Sequence, residues 1–395
     1  MHSAMLAHVT NEVNIDKDNS DLGRSSAEIA IPPEMLPADG RFGSGPSKVR
    51  PEAVDSLRDV AGKYLGTSHR RDGVRSVVSR LRSGMADLFG LPAGYEVVLG
   101  NGGATCFWDV ATFSLIERHS QHLSFGEFSS KFASAVAAAP HLDDPEVIKS
   151  EPGTHPAPVG RPGVDVYALT HNETSTGVSM EIRRPQGADG LVIVDATSAA
   201  GGLAIKMSEV DVYFFSPQKC FASDGGLWVA LMSPRALDRV DVIKASRRWM
   251  PPTLDLSVAI SNSRQDQTYN TPALATLWLL VDQLEWMLAN GGLDWAASRC
   301  ATSAGFIYSW AEASSYATPF VADRFQRSNV VATIDIDESI DAIAVAKILR
   351  SNGIVDTEPY RKLGRNQLRV AMFPAIDPED AKALCACVDY VVDAL

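Results

Sequence analysis

Three places in this 395-residue chain set reactive residue types where an α/β framework would expose them. The first is Phe215-Ser216-Pro217-Gln218-Lys219-Cys220, where a lysine follows an apolar run and precedes Gly225-Gly226. A partly desolvated lysine has a lowered pKa and suits an imine-forming amine. By position alone it reads more readily as a sheet-edge lysine with its head in water. The second is Leu191-Val192-Ile193-Val194-Asp195, four apolar residues running into an aspartate. A carboxylate at the C-terminal end of a buried strand lies where α/β ligands bind, and could keep a pyridine nitrogen protonated. Its other reading is a cap on the following turn. The third is Gly100-Asn101-Gly102-Gly103-Ala104-Thr105, small residues leaving a strand and opening a helix. Free amides and the helix dipole make that corner suited to phosphate, although a tight turn alone explains its glycines.

The elements that must hold these groups follow from hydrophobic patterning. Helical periodicity covers Val74 to Phe89, Gly103 to His119 and Phe128 to Ala139. Short apolar runs at 96–99, 122–125, 164–170, 191–195 and 211–215 read as strands buried on both faces, as in parallel sheets. The alternation predicts an open α/β sheet with its ligand loops at the strand C-terminal ends. A helix from Pro272 places Leu277, Leu280, Val281, Leu284 and Leu288 on one stripe and ends at Asn290-Gly291-Gly292. Beyond it come a strand at 330–336, a helix at 340–349, a strand at 368–373 and a last helix capped by Asp377-Pro378. The expected organisation is a tail over 1–30, a large domain over 31–290 that includes the N-terminal segment, and a small α+β domain over 291–395.

Composition narrows the function. Lys and Arg total 36 against 48 Asp and Glu, a net charge of −12. That argues against a general nucleic-acid or membrane-surface binder, so an anionic ligand needs a local basic pocket. Five scattered cysteines with no CxxC pair indicate neither a zinc site nor a thioredoxin-type site. They fit buried thiols in a reducing cytoplasm. No apolar run approaches membrane-spanning length, and the start lacks a secretory signal pattern. HExxH, GxSxG, a Walker A motif and a full GxGxxG are absent, and every histidine lies at or before His171.

A phosphate nest, then an aspartate, then a lysine 24 residues later is the order found in large-domain pyridoxal-phosphate enzymes. From about residue 38 onward the chain resembles the phosphoserine aminotransferases, in their actinobacterial form, within the fold-type-I class V aminotransferases. The resemblance is carried by Arg41-Phe42-Gly43-Ser44-Gly45-Pro46-Ser47, Gly66-Thr67-Ser68-His69-Arg70 and His171-Asn172-Glu173-Thr174. Pro217-Gln218-Lys219, Tyr269-Asn270-Thr271-Pro272 and Tyr360-Arg361-Lys362-Leu363-Gly364-Arg365 complete the ordered set.

The resemblance implies a fold-type-I architecture and pyridoxal 5'-phosphate as cofactor. It implies Lys219 as the lysine joined to that cofactor and as proton shuttle, and Asp195 as partner of the ring nitrogen. Thr174 would bond the ring hydroxyl, Phe128 would stack on the ring, and Gly103, Ala104 and Gln218 would hold the phosphate. Asn270 and Thr271 would reach the cofactor phosphate of a partner subunit, making the active unit a homodimer. His69, Arg70 and Arg361 would read the substrate phosphate, and Arg369 the α-carboxylate. Many relatives have histidine where this chain has Tyr360 and tryptophan where it has Phe128. The implied reaction is amino transfer from L-glutamate to 3-phosphohydroxypyruvate in serine biosynthesis, with 4-phosphohydroxythreonine, in pyridoxine biosynthesis, as a second acceptor. A cysteine desulfurase of the same fold is a rival, opposed by the helical placement of Cys300, Cys385 and Cys387. A non-catalytic binding protein is another, opposed by intact Lys219, Asp195 and Thr174.

Overall fold

A computed structural model describes residues 29–395, so the tail expected over 1–30 lies almost wholly outside the described residues. The large sheet has seven strands: β1 (Glu96–Asn101), β2 (Ser120–Ser124), β3 (Glu146–Lys149), β4 (Val166–Thr170), β7 (Leu191–Asp195), β8 (Val212–Phe215) and β9 (Leu227–Met232). The short pair β5 (Asn172–Glu173) and β6 (Val178–Ser179) forms a separate hairpin. The order is β1-β9-β8-β7-β4-β2-β3, with β9 antiparallel to both neighbours and the remaining pairs parallel.

Every residue of β4, β7, β8 and β9 is buried. Alternation then divides them between two cores, because successive side chains of a strand face opposite ways. Val192, Val194, Tyr213 and Phe215 join one core with α2 (Asp72–Leu88) and α7 (Leu274–Ala289). Leu191, Ile193, Val212 and Phe214 join the other. That face is covered by α3 (Ala104–Ser114), α4 (Glu127–Ala137), α5 (Pro234–Ala245) and α6 (Leu256–Ser263). The expected strands at 191–195 and 211–215 are therefore present. The expected helix from 103 to 119 stops at Ser114, because the amides of Glu117, Arg118 and His119 donate to the Asp165 carboxylate instead of continuing the helix.

The C-terminal part stacks α8 (Gly292–Ala313), α9 (Ala342–Ser351) and α10 (Pro378–Ala394) on an antiparallel sheet. That sheet is β10 (Ala317–Pro319), β11 (Val331–Ile336) and β12 (Gln367–Ala371). Asp377 caps α10 by accepting from the amide of Glu379, and Pro378 fills the first helical position.

The N-terminal segment, assigned above to the large domain, begins on the small one. Ile31 and Phe42 sit in the small domain's core. The amide of Ile31 donates to Asn352, that of Ala38 to Asp380, and that of Ala371 to the carbonyl of Phe42. The reason is edge pairing: Arg41 bridges Val355 in parallel, which satisfies backbone that would otherwise be bare. The chain reaches the large domain from Ser44 onward: the Ser44 carbonyl accepts from Lys219, the Ser47 amide donates to the Gln218 carbonyl and Arg50 donates to Gln283, before Tyr64 of α1 (Pro51–Tyr64) packs on Trp278 of α7. Residues 43–50 thus cross between the two layers, directly over the C-terminal ends of the central strands.

Candidate active site

Strand register sets the centre. Asp195, the last residue of β7, lies level with Thr170 of β4 and Phe214 of β8. Its carboxylate is buried and takes three hydrogen bonds. Oδ1 accepts from the Thr197 amide at 3.0 Å and the Thr197 hydroxyl at 2.7 Å, and Oδ2 accepts from the Trp108 indole at 2.9 Å. The turn-capping reading of Asp195 therefore holds for one oxygen only. A carboxylate offers about four acceptor positions, so one remains for a ligand donor. Burial pushes this carboxyl up, against the pull of Thr197, Trp108 and the charge on Lys219.

Lys219 follows β8 by four residues and is buried, not at a wet sheet edge. Its Nζ donates to the carbonyl of Ser44 at 2.5 Å. Burial, and secondarily the charge on Arg369, lowers its ammonium to about 8. Gly45 makes this possible: a Cβ there would stand 2.2 Å from Nζ, and its φ of 144° disfavours other residues. Phe128, at the start of α4, has its ring 6.0 Å from Nζ. Tyr360 lies 6.2 Å beyond Phe128, and the Arg369 guanidinium 5.3 Å from the Tyr360 ring. Arg369 is half-buried and its Nε has no partner. Thr174 is buried and its hydroxyl donates to Ser198 at 2.8 Å.

The glycine corner opens α3. Gly102 and Gly103 have φ of 119° and 89°, and no side chain caps the helix. Its first amides are therefore unclaimed within the helix, the arrangement that binds anions. Gln218 comes within 4 Å of the position a Cβ on Gly225 would take, and its Oε1 is buried without a partner.

A second group of predicted residues lies apart. His69 Nδ1 pairs with Thr271 Oγ1 at 3.1 Å, and Asn101 donates to the Thr271 carbonyl at 2.8 Å. Arg70 is exposed and donates to Gln267 at 3.0 Å. Asn270 and Arg361 are exposed, Arg361 on a single 3-10 turn over 361–363. The structure thus brings Asp195, Phe128 and Arg369 around Lys219. It leaves His69, Arg70, Asn270, Thr271 and Arg361 as a rim. Desolvation, then Arg70, lowers the His69 imidazole.

Two residues of the site carried no functional reading in the sequence. Glu173 is completely buried and caps α4, accepting from the Ser129 amide at 2.9 Å and from the hydroxyls of Ser129 and Ser175. It thereby fixes the helix that presents Phe128. Its signal was a charged residue inside Asn172-Glu173-Thr174, a motif used only for its threonine. Trp108 is the other, and only the fold places it against Asp195.

Cys300, Cys385 and Cys387 are buried in α8 and α10, and burial pushes the thiols of Cys385 and Cys387 up to about 12 and 11. None is a reactive thiolate on a mobile loop, as desulfuration needs. Among the described residues no group of His, Cys, Asp and Glu could hold a metal ion, and no helix is long and apolar enough to cross a membrane.

Comparisons with known proteins converge. Residues 42–357 match the aminotransferase class-V family. Phosphoserine aminotransferases of Rhodococcus jostii and Rhodococcus opacus are each 61% identical to the chain over 366 residues, covering 92% of it and 98% of each of them. The fold matches a crystal structure of a phosphoserine aminotransferase from Cytophaga hutchinsonii with a TM-score of 0.82 at 24% identity, covering 89% of this chain and 99% of that one.

Proposed function

The chain belongs to the class-V aminotransferases and, within them, to the phosphoserine aminotransferases, and on that premise we propose its reaction and its residue roles. It transfers the amino group of L-glutamate to 3-phosphohydroxypyruvate, giving O-phospho-L-serine and 2-oxoglutarate. The observation that carries the reading is the buried amine of Lys219 between a buried carboxylate and a half-buried arginine with an unpartnered Nε. An amine, an anion and an open cation at one spot suit an amino-acid substrate.

The residues fit pyridoxal 5'-phosphate. Lys219 offers the amine, Asp195 its free acceptor position, Phe128 a flat face, and the uncapped start of α3 a phosphate cradle. Unpartnered buried atoms on Gln218 and Asn172 are further polar groups awaiting a ligand. When bound, the cofactor supplies a carbonyl for amines and a protonated ring that draws electrons from the substrate α-carbon.

The chain's own residues do the rest. Lys219 is partly neutral near pH 8, so its amine would serve to hold the cofactor and, when free, as the base that takes the α-proton. Arg369 grips the α-carboxylate and sets the α-carbon within reach of Lys219. Phe128 and Tyr360 wall the centre from water. Thr174, Gly103, Ala104 and Gln218 hold the cofactor, and Asn270 and Thr271 reach the phosphate of a second copy. His69, Arg70 and Arg361 read the substrate phosphate. The same contacts suit 4-phosphohydroxythreonine as an acceptor. The test is a panel of 2-oxo acids with the full chain and L-glutamate. The phosphorylated acceptors are expected to dominate kcat/KM. Equal turnover of pyruvate or oxaloacetate would sink the reading.

A further inference from the structure

The indole of Trp108 is the structure's own link between the two ends of the cofactor site. Trp108 sits on α3, five residues after Gly103, at the helix whose first amides form the phosphate cradle. From there its Nε1 donates to Asp195 Oδ2 at 2.9 Å, and both residues are buried. The other donors to Asp195, the amide and hydroxyl of Thr197, belong to the turn that follows the aspartate. They move with it and fix only Oδ1. Trp108 is the contact that ties the carboxylate to a different element.

The indole is itself held in place. Its ring stacks on Phe132 of α4 at 6.2 Å with the planes 15° apart. Phe132 in turn meets His122 of β2 and Phe214 of β8 edge-on, at 5.0 and 6.0 Å. Phe132 lies one turn after Phe128, so the two occupy one side of α4. One packed unit therefore joins the phosphate cradle, the aromatic face and the ring-nitrogen partner.

A buried indole needs an acceptor, and a backbone carbonyl would serve. Placing an anion there is costly unless the anion is needed, because burial disfavours its charged form. A donor from Trp108 offsets that cost and leaves the free acceptor position of Asp195 pointing to one place.

We propose that Trp108 is a positioning residue, which aims Asp195 and keeps it ionised, and through α3 fixes the span between phosphate cradle and ring-nitrogen partner. The inference rests on the reading of Asp195 given above.

The test uses the full chain. With 15N-indole labelling, Trp108→Phe identifies the Trp108 signal among seven tryptophans. In protein freed of cofactor this signal is expected downfield and slow to exchange, and Asp195→Asn is expected to move it upfield. That readout needs no activity. In the holoenzyme, Trp108→Phe keeps the stack on Phe132 and removes the donor. It should lower kcat and weaken cofactor retention roughly tenfold or more, since the lost hydrogen bond is to a charged group. KM for both substrates should change little. Trp108→His, which keeps a ring N–H, should recover part of both losses. An indole signal indifferent to Asp195→Asn, or a Trp108→Phe enzyme with wild-type kcat and cofactor retention, would overturn the proposal. If Trp108→Phe does not fold, the Asp195→Asn shift alone decides. Full turnover by Asp195→Asn would remove the site reading itself, and the role of Trp108 with it, while leaving the indole shift in place.

Discussion

The centre around Lys219 and the rim around His69 and Arg70 differ in what holds their polar groups. At the centre the amine and the carboxylate are fixed by the chain itself: Lys219 by the Ser44 carbonyl, Asp195 by Thr197 and Trp108. At the rim the partners are neutral and loose. Arg70 reaches only Gln267, His69 only Thr271, and Arg361 stands exposed on a short turn. The centre is preorganised within one chain, which suits the roles proposed for it on every substrate. Among the described residues Arg70 and Arg361 make no ion pair, which in a protein of net charge −12 leaves them open to an anion from outside.

The sharpest break in this comparison is Lys219→Ala. It should cost at least about 10^3-fold in turnover, because base catalysis alone is worth about 10²–10⁴. The visible absorbance of the lysine-bound cofactor should vanish with it. Borohydride reduction and peptide mapping of the wild type should label Lys219 alone, and label on another lysine would move the centre elsewhere.

Arg369→Ala and Arg70→Ala separate centre from rim directly. Losing one side of a buried charge pair costs about 2–5 kcal/mol. Arg369→Ala should slow the half-reactions of L-glutamate and of O-phosphoserine alike, since both carry an α-carboxylate. Arg70→Ala should slow O-phosphoserine strongly and L-glutamate much less. Equal slowing of both donors by Arg70→Ala would make it a structural residue, not a reader of phosphate.

Hybrids test whether the rim completes a neighbouring centre. One parent carries Lys219→Ala, the other Asn270→Ala with Thr271→Ala. If Asn270 and Thr271 serve a second copy, the hybrid has one site with both lesions and one with neither. Activity then returns in part. Verified hybrids that stay inactive would confine these residues to their own chain.

The smallest effect concerns pH. Burial holds the Lys219 ammonium near 8, with Arg369 adding to the depression and Asp195 and Glu173 opposing it. The neutral amine is the nucleophile, so cofactor capture by stripped protein should rise with pH through about 8 and then level. Removing a nearby cation raises an amine's pKa, so Arg369→Ala should shift that inflection upward. A downward shift would show that Arg369 does not act on Lys219 through charge.

Much of this was legible in the sequence because local patterns report local physics. The run Leu191–Asp195 fits a strand buried on both faces, which puts its terminal aspartate at the C-terminal end of the sheet, and the structure has that strand. The glycines at 102 and 103 announced a positive-φ turn into a helix. The structure adds a strand that the reading above does not include, β9, whose Leu227–Met232 run is buried throughout like β7. The N-terminal segment lies on the small domain instead of the large one, since nothing in its Pro- and Gly-rich composition names Val355, the distant residue that Arg41 bridges.

What the sequence by itself determined is therefore the kind of chemistry: a lysine, an aspartate and a phosphate corner, in an order that fits one class of cofactor. What only the tertiary structure decided is how these groups are held. The Ser44 carbonyl over Lys219, Glu173 beneath Phe128 and Trp108 against Asp195 join residues 175, 45 and 87 positions apart. Sequence periodicity reports which face of its own element a side chain occupies. It carries no information on what meets that face across the core, because that depends on the crossing of whole elements.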